Sequence, residues 1–488
     1  MSFLVLSCTK PLKQDAPAED PQQESGWSRE FPTVGVYSSV RVADLNQDGI
    51  KDIIIGAGKY EFQSTDTAVV ALSGATGETL WIVPARDQIF GSATLLDINR
   101  DGVKDVIIGG RSAVLMAING RTGEILWEFF PHSDSRKPSD YGWYNFYNPQ
   151  IIPDQTGNGV EEILVSNGGD VRAAPNDPKR PPGKLMIIDA SNGELLADAV
   201  VPDGKETYMS PVVSKMHEDD EDLTIIFGTG GETIGGNLYR TTLRNLMNGD
   251  ISNAVILASS ENKGFIAPPV LVDITRNGHF DIVANAVEGR TVAIDGKTNT
   301  LLWETKIENV EAYASPGVGY FNNDSIPDFF SIYGEGVFPE LTRSIKVMLD
   351  GSTGEIQFMD SLGFAQTASP VIADFNHDGY DNALVSINFT ITDLESRLIN
   401  AWHNMLVVYD FKNNSTYQLT GYIPGMNLAS TPWIGDLNGN GKMDILYCIL
   451  PEASMNGFRI IRMPTNIELK FGLKWGAYMG SNYDGIFR

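Results

Sequence analysis

The sequence predicts an all-β fold, a single eight-bladed β-propeller of four-stranded antiparallel blades. Three observations carry this. An acidic loop followed by an apolar strand recurs eight times in the 488 residues. A second, hairpin-like motif separates successive copies. Glycine (49) and proline (25) suit many short strands and turns, while 42% hydrophobic content keeps the chain globular. A fixed repeat period outranks length as a guide to domain count.

The acidic motif is clearest in VADLNQDGIKDIIIGAG, starting at Val42. Its loops begin at Asp44, Asp97, Asp154, Met216, Asp273, Tyr320, Asp374 and Asp436. The second motif reads VVALSGATGETLW, VLMAINGRTGEILW, LMIIDASNGELLA, TVAIDGKTNTLLW and KVMLDGSTGEIQF. Each is an apolar run, a turn and another apolar run, which signals a hairpin. Two strands around each acidic loop and two around each turn make one blade. Ring closure protects the sheet edges that an open stack would expose. Trp27–Phe31 at one end, and the run through FRIIRMP and IELKFGLKWGAYM at the other, are expected to share a blade. The domain boundaries are therefore residues 1–26, a polar, Pro-rich tether, and 27–488, the propeller.

The spacing D-x-N-x-D-G-x-x-D has a chemical reason. Calcium is a hard cation that takes six to eight oxygens. Side chains at loop positions 1, 3 and 5 can turn inward, and position 7 offers its carbonyl. Glycine at 6 permits the sharp turn, and position 9 closes the shell as the next strand begins. Asp44, Asn46, Asp48 and Asp52 fit this pattern with the Ile50 carbonyl. Asp97, Asn99, Asp101 and Asp105 fit it with the Val103 carbonyl. Softer sets are Asp273, Thr275, Asn277 and Asp281; Asp374, Asn376, Asp378 and Asn382; and Asp436, Asn438, Asn440 and Asp444. Calcium at about five sites is the expectation. Asp154, Thr156, Asn158 and Glu162 form a weaker set. The sixth loop has Tyr320 in place of its first acid, and the fourth has lost glycine and spacing and is expected to be empty. An EF-hand would need Glu at position 12, where Ile55 and Ile108 stand. Zinc lacks a His/Cys cluster, and magnesium seldom takes an all-protein cage.

Antiparallel blades put the acidic loops and the hairpin turns on one face. The other connections vary in length, and variable loops on a rigid scaffold are where binding usually sits. Three stand out: residues 131–148 with Trp143, Tyr144 and Tyr147; 167–184 with Arg172 and Arg180; and 228–244 with Glu232 and Arg240. They are expected to form a basic, aromatic rim for an extracellular protein or an acidic glycan. Nucleic acid is excluded as a partner, because a chain of net charge -26 shows no basic stripe. No run of eighteen apolar residues spans a membrane. G-x-S-x-G, H-E-x-x-H and P-loop motifs are missing, which favours a binding scaffold over an enzyme.

On these residues the acidic loops resemble FG-GAP/VCBS repeats, as in integrin α-subunit propellers. Turns such as Ala117–Trp127 resemble the repeats of quinoprotein-like eight-bladed propellers. The vicinal cysteine pair common beside the cofactor in those dehydrogenases has no counterpart in Cys8 and Cys448, so no PQQ is expected. A calcium-dependent polysaccharide lyase, or another carbohydrate-active propeller enzyme, is the alternative, because one lyase class is similar in plan. His132, Lys137, Arg172 and Arg180 would supply its base and cations. The start, MSFLVLSC, resembles the end of a bacterial lipoprotein signal with Cys8 as the lipidated residue. It departs from that pattern in lacking a basic n-region and a full apolar stretch. The resemblance implies an extracytoplasmic protein, lipid-anchored at the outer membrane or cell surface of a bacterium. The membrane would then be a partner only through that anchor, and the oligomeric state stays open.

Overall fold

The structure, a computed structural model, describes residues 25–129, 144–170, 173–174, 177, 179–364, 366–392, 399–470 and 472–488. Cys8, Trp143, Arg172, His132 and Lys137 lie outside the described residues. Eight antiparallel sheets follow one another along the chain, and strands A to D run from the axis outward in each. Blade 1 is Arg41–Ala43, Asp52–Gly56, Thr65–Leu72 and Thr79–Ala85. Helix is confined, among the described residues, to Leu243–Met247.

The hydrophobic core lies between the blades. Ile54, Ala71 and Trp81 of blade 1 pack against Val106, Ile108 and Met116 of blade 2. Strand B is therefore covered on both faces, and all five residues of Asp52–Gly56 and of Asp105–Gly109 are buried. That double burial explains why these strands read as unbroken apolar runs rather than as alternating ones.

Tryptophan joins one blade to the next. The Trp81 indole Nε1–H donates to the Gly120 carbonyl of the neighbouring hairpin turn at 2.7 Å. Trp127 does the same to Ala190, Trp303 to Gly351, and Trp27 to Gly74. Each indole lies against a turn glycine in the left-handed region, Gly123, Gly193, Gly354 and Gly77, with φ of 72–77°. A Cβ on any of these would come within 2.6–2.7 Å of the ring. The T-G-E-x-x-W pattern is thus a lock with its two halves in adjacent blades. Where tryptophan is missing, other groups serve. The short helix Leu243–Met247, capped by Thr242, packs on strand D of blade 3, Leu195–Val200. Between blades 4 and 5, Arg240 donates to the Gly296 carbonyl at 2.6 Å.

Closure uses both ends, as the sequence predicts. Trp27–Phe31 is the outermost strand of blade 8, antiparallel to Phe458–Arg462. The chain beyond Glu468 does not extend that blade, although the sequence reads IELKFGLKWGAYM as part of the last unit. It crosses the axis instead. Ile434, Ile372 and Leu271, on the inner strands of blades 8, 7 and 5, donate backbone N–H bonds to Gly476, Trp475 and Gly485. Arg41 is 1% exposed and lies over the Tyr483 ring at 4.1 Å, with Tyr478 also near. Burial pulls its pKa down to about 10. Cys448 sits in strand B of blade 8, fully buried, its thiol pushed up to about 12 by desolvation.

Lys346 in strand C of blade 6 is fully buried, and its Nζ donates to the Ser344 and Leu362 carbonyls. Desolvation pulls its pKa down to about 7, against an ordinary value of ~10.4. Between those two values the unfolded chain holds the proton that the folded one has lost, so stability rises with pH across that window. We expect any thermal advantage of Lys346→Met over the parent to be largest near pH 7 and to shrink towards pH 10, measured as the Tm difference.

Candidate functional site: acidic loops on one face and a buried charge network on the other

The acidic loops fold as their spacing requires. In blade 1, Asp44 accepts from the Asp48 and Gly49 amides, and Asn46 also accepts from Asp48. Asp48 in turn accepts from the Ile50 amide at 2.8 Å. The backbone thereby gathers the oxygens of positions 1, 3 and 5. The loops at Asp97, Asp273, Asp374 and Asp436 repeat the first-position contacts.

Position 9 plays a second part that spacing did not reveal. Asp52 accepts from Leu45 and Asn46 through Oδ2, and from Gly74 of the hairpin turn through Oδ1. Asp105 and Asp281 repeat this with Gly120 and Gly296. Each ties the inner loop to the outer hairpin of its own blade, and burial raises its pKa. Asn382 accepts from the Phe375 amide, and Asp444 is held by Arg462 at 2.9 Å. Three of a carboxylate's roughly four lone-pair directions are then taken in Asp52.

Among the described residues, the set of three metal-ligating side chains with oxygens within 4.8 Å of one another is Asp324, Asp328 and Asp350 in blade 6. This is the loop the sequence ranked low because of Tyr320. The missed member is Asp350, the first residue of that blade's hairpin turn, which lies against the loop. The same turn position is Asp189, Asp295 and Asp410 in blades 3, 5 and 7, so the signal was present in LMIIDASNGE and KVMLDGSTGE. Burial, with Asp324 adding to it, pushes Asp328 up to about 7.

The variable face differs from the expected basic rim. Arg180 pairs with Glu206 at 2.6 Å, and both are largely buried. The Tyr208 hydroxyl donates to the same carboxylate, and its ring meets Tyr147 edge-on at 6.0 Å. Lys263 pairs with Glu311, which also accepts from the Tyr313 hydroxyl at 2.7 Å and the Phe338 amide at 2.8 Å. Glu232 lies between these two pairs, its pKa raised by burial and by Glu311. Tyr144 is buried in the inner strand segment Tyr144–Phe146 and lines no surface. Arg240 is not on this face. It stands in strand C of blade 4 and reaches the hairpin turn of blade 5, bonding Gly296 and Asn299 on the acidic-loop side. It entered the sequence reading as a loop residue because the apolar run before it is interrupted by glycines.

A family model described as the FAM234A/B beta-propeller matches residues 27–171. Protein FAM234B of Mus musculus is 28% identical over 404 residues, covering 72% of this chain and 57% of that protein. Protein FAM234A of Bos taurus is 25% identical over 201 residues, covering 36% of this chain and 35% of that protein. The chain is similar to the FAM234 proteins. It spans between about a third and somewhat over half the length of these relatives. Among solved structures, quinohemoprotein alcohol dehydrogenase from Comamonas testosteroni superposes with a TM-score of 0.54 at 12% identity, over 92% of this chain and 78% of that one. That likeness is one of fold.

Because Asp52 braces two hairpins, its loss should act with or without a cation. Asp52→Ala leaves three N–H groups without their acceptor and should cost about 3 kcal/mol of unfolding free energy. A denaturant titration in EDTA should show that loss at full size.

Proposed function

We propose that the chain is a calcium-binding β-propeller scaffold that displays its variable face to an extracellular protein. The observation that carries the calcium part is the repeated loop in which backbone amides gather the oxygens of positions 1, 3 and 5. Asp44, Asn46, Asp48 and the Ile50 carbonyl would hold one ion, with Asp52 offering its remaining lone pair. The Asp97 loop would hold a second with the Val103 carbonyl, and the loops at Asp273, Asp374 and Asp436 three more. Asp324, Asp328 and Asp350 are a sixth candidate set. These loops support kinship with FG-GAP/VCBS repeats. Millimolar calcium is an extracytoplasmic condition, which fits a tether ending in a lipidated Cys8.

The buried network shifts the choice of partner. Arg180 and Lys263 are matched by Glu206 and Glu311, and Glu232 adds a further acid. Neither of these two cations is then free to meet an acidic glycan, so a protein surface fits better. A guanidinium clamped to a carboxylate is also a poor base, which weakens the lyase reading at Arg180. A photo-crosslinker placed at Thr233 on this face should capture one extracellular partner, and one at Gly439 on the acidic face should not. Equal capture from both faces would refute the assignment.

A ligand that binds only the native state stabilises it by about 2.7 kcal/mol per site at a hundredfold excess over Kd. EDTA should therefore lower Tm by several degrees, and calcium should restore it better than magnesium. Asp48→Ala should remove part of that calcium response and change the EDTA value little. Protein purified without chelator should carry calcium by elemental analysis.

A further inference from the structure

Arg41 opens strand A of blade 1 and is covered by the tail that crosses the axis. It is 1% exposed. A guanidinium carries five N–H donors. Two acceptors reach this one: the Ala93 carbonyl takes the Nε–H at 3.2 Å, and the Val40 carbonyl takes an Nη1–H at 3.5 Å. Among the described residues no carboxylate pairs with it, and the ionisable groups it feels are the phenols of Tyr483 and Tyr478. Neither phenol balances the charge. Burial raises both above the ordinary phenol value, Tyr478 to about 12, so both stay neutral. The other polar side chains at the axis are committed to one another. Two residues before the inner strand, a side-chain oxygen accepts the backbone N–H of the preceding blade. Ser92 accepts from Ser39 at 2.9 Å, Asn148 from Ser92 at 2.7 Å, and Ser39 from Thr431 at 2.9 Å. This belt turns its oxygens to amides and leaves the Ser39 and Ser92 hydroxyls as donors beside a cation.

We propose that the guanidinium of Arg41 holds a small monovalent anion, chloride in ordinary media, at the axis of the ring. The sign follows from burial, because an ion taken out of water without a counter-charge is costly. The Tyr483 ring, 4.1 Å from the guanidinium carbon, relieves part of that cost but accepts none of the N–H groups lying over its face. Three guanidinium N–H groups are left for the anion, and buried donors are nearly always satisfied. The valence follows from the single positive charge, since a divalent anion would leave a surplus negative charge equally buried. The size follows from closure: a side chain 1% exposed under the tail is out of reach of a peptide or a glycan. The anion would bridge blade 1 and the tail, and so fasten the plug that fills the axis. The site is separate from the acidic loops and from the variable face.

The test uses the full chain with calcium held constant in excess. Sodium isethionate, a sulfonate too large for the closed site, is replaced stepwise by sodium chloride at constant ionic strength. Tm should rise hyperbolically and level off, because at a tenfold excess over Kd a single site lowers the unfolding constant about elevenfold. Sodium bromide should act likewise. Melting opens the site, so slow exchange of a buried ion does not mask the effect. Arg41→Met removes the charge and should lose the halide response, with a Tm in isethionate at least equal to that of the parent. Crystals grown in bromide should show an anomalous peak in hydrogen-bonding contact with Arg41. If Arg41→Met fails to fold, the bromide peak in the parent decides alone. A Tm indifferent to halide, an equal rise in parent and variant, or no peak at Arg41 would overturn the proposal. The first result would assign the balance of charge to water or to a carboxylate elsewhere in the chain.

Discussion

A row of β-sheets is stable only when its two ends meet, and this ring closes through one antiparallel pairing. Trp27–Phe31 supplies the outer strand of a blade whose other three strands come from the opposite end of the chain. The same segment carries Trp27, whose indole locks blade 8 to blade 1. Strand pairing and blade-to-blade locking are thus combined in five residues. The axis is treated with equal economy. Twenty residues after Glu468 bond to inner strands of three blades and bury Arg41 among aromatic rings. The closed ring and the filled axis hold the surface loops in fixed places.

Charge is sorted radially and by face. Carboxylates that face solvent at loop positions 1 and 5 stand beside buried ones at position 9, which do the work of turn formers. One residue type is used for two purposes within nine positions, and amide hydrogen bonds separate them. On the opposite face, carboxylates are paired with cations and phenols in the interior of the loops. Blade 6 departs from its neighbours in its loop, where Tyr320 stands for the first acid, and in its outer strand, where Phe358 stands for tryptophan.

The architecture was legible in the sequence because repetition averages over local ambiguity. Eight copies of a loop and several of a hairpin set blade number, strand order, face and closure, and each appears in the structure. The faces of individual side chains were less legible. Arg240 reads as a loop residue, yet sits in a strand and replaces a tryptophan N–H at a junction. Asp350 is invisible to a search for ligands within one loop, because its partners are more than twenty residues away along the chain. Arg180 reads as a free cation, yet its charge is matched by Glu206, a residue in the connection to the next blade. The tail's path was not legible, because an apolar run looks the same whether it pairs at an edge or fills an axis. Local pattern yields the repeat, and contacts between repeats decide what each exception does.

Closure by the first strand has a consequence for biosynthesis. On a ribosome Trp27–Phe31 emerges before the seven blades that separate it from its partner strand, Phe458–Arg462. Blades 1 to 7 can each pair locally as they leave the exit tunnel, and each can stack on the one before. Trp27–Phe31 meanwhile has no partner, and the axis stands open, until residues 458–488 are free. The nascent propeller thus carries an unpaired edge and an exposed bore until its eighth blade is made. Such long-range pairing is slow by its topology, so the interval before residues 458–488 emerge is when the propeller most needs shielding from aggregation.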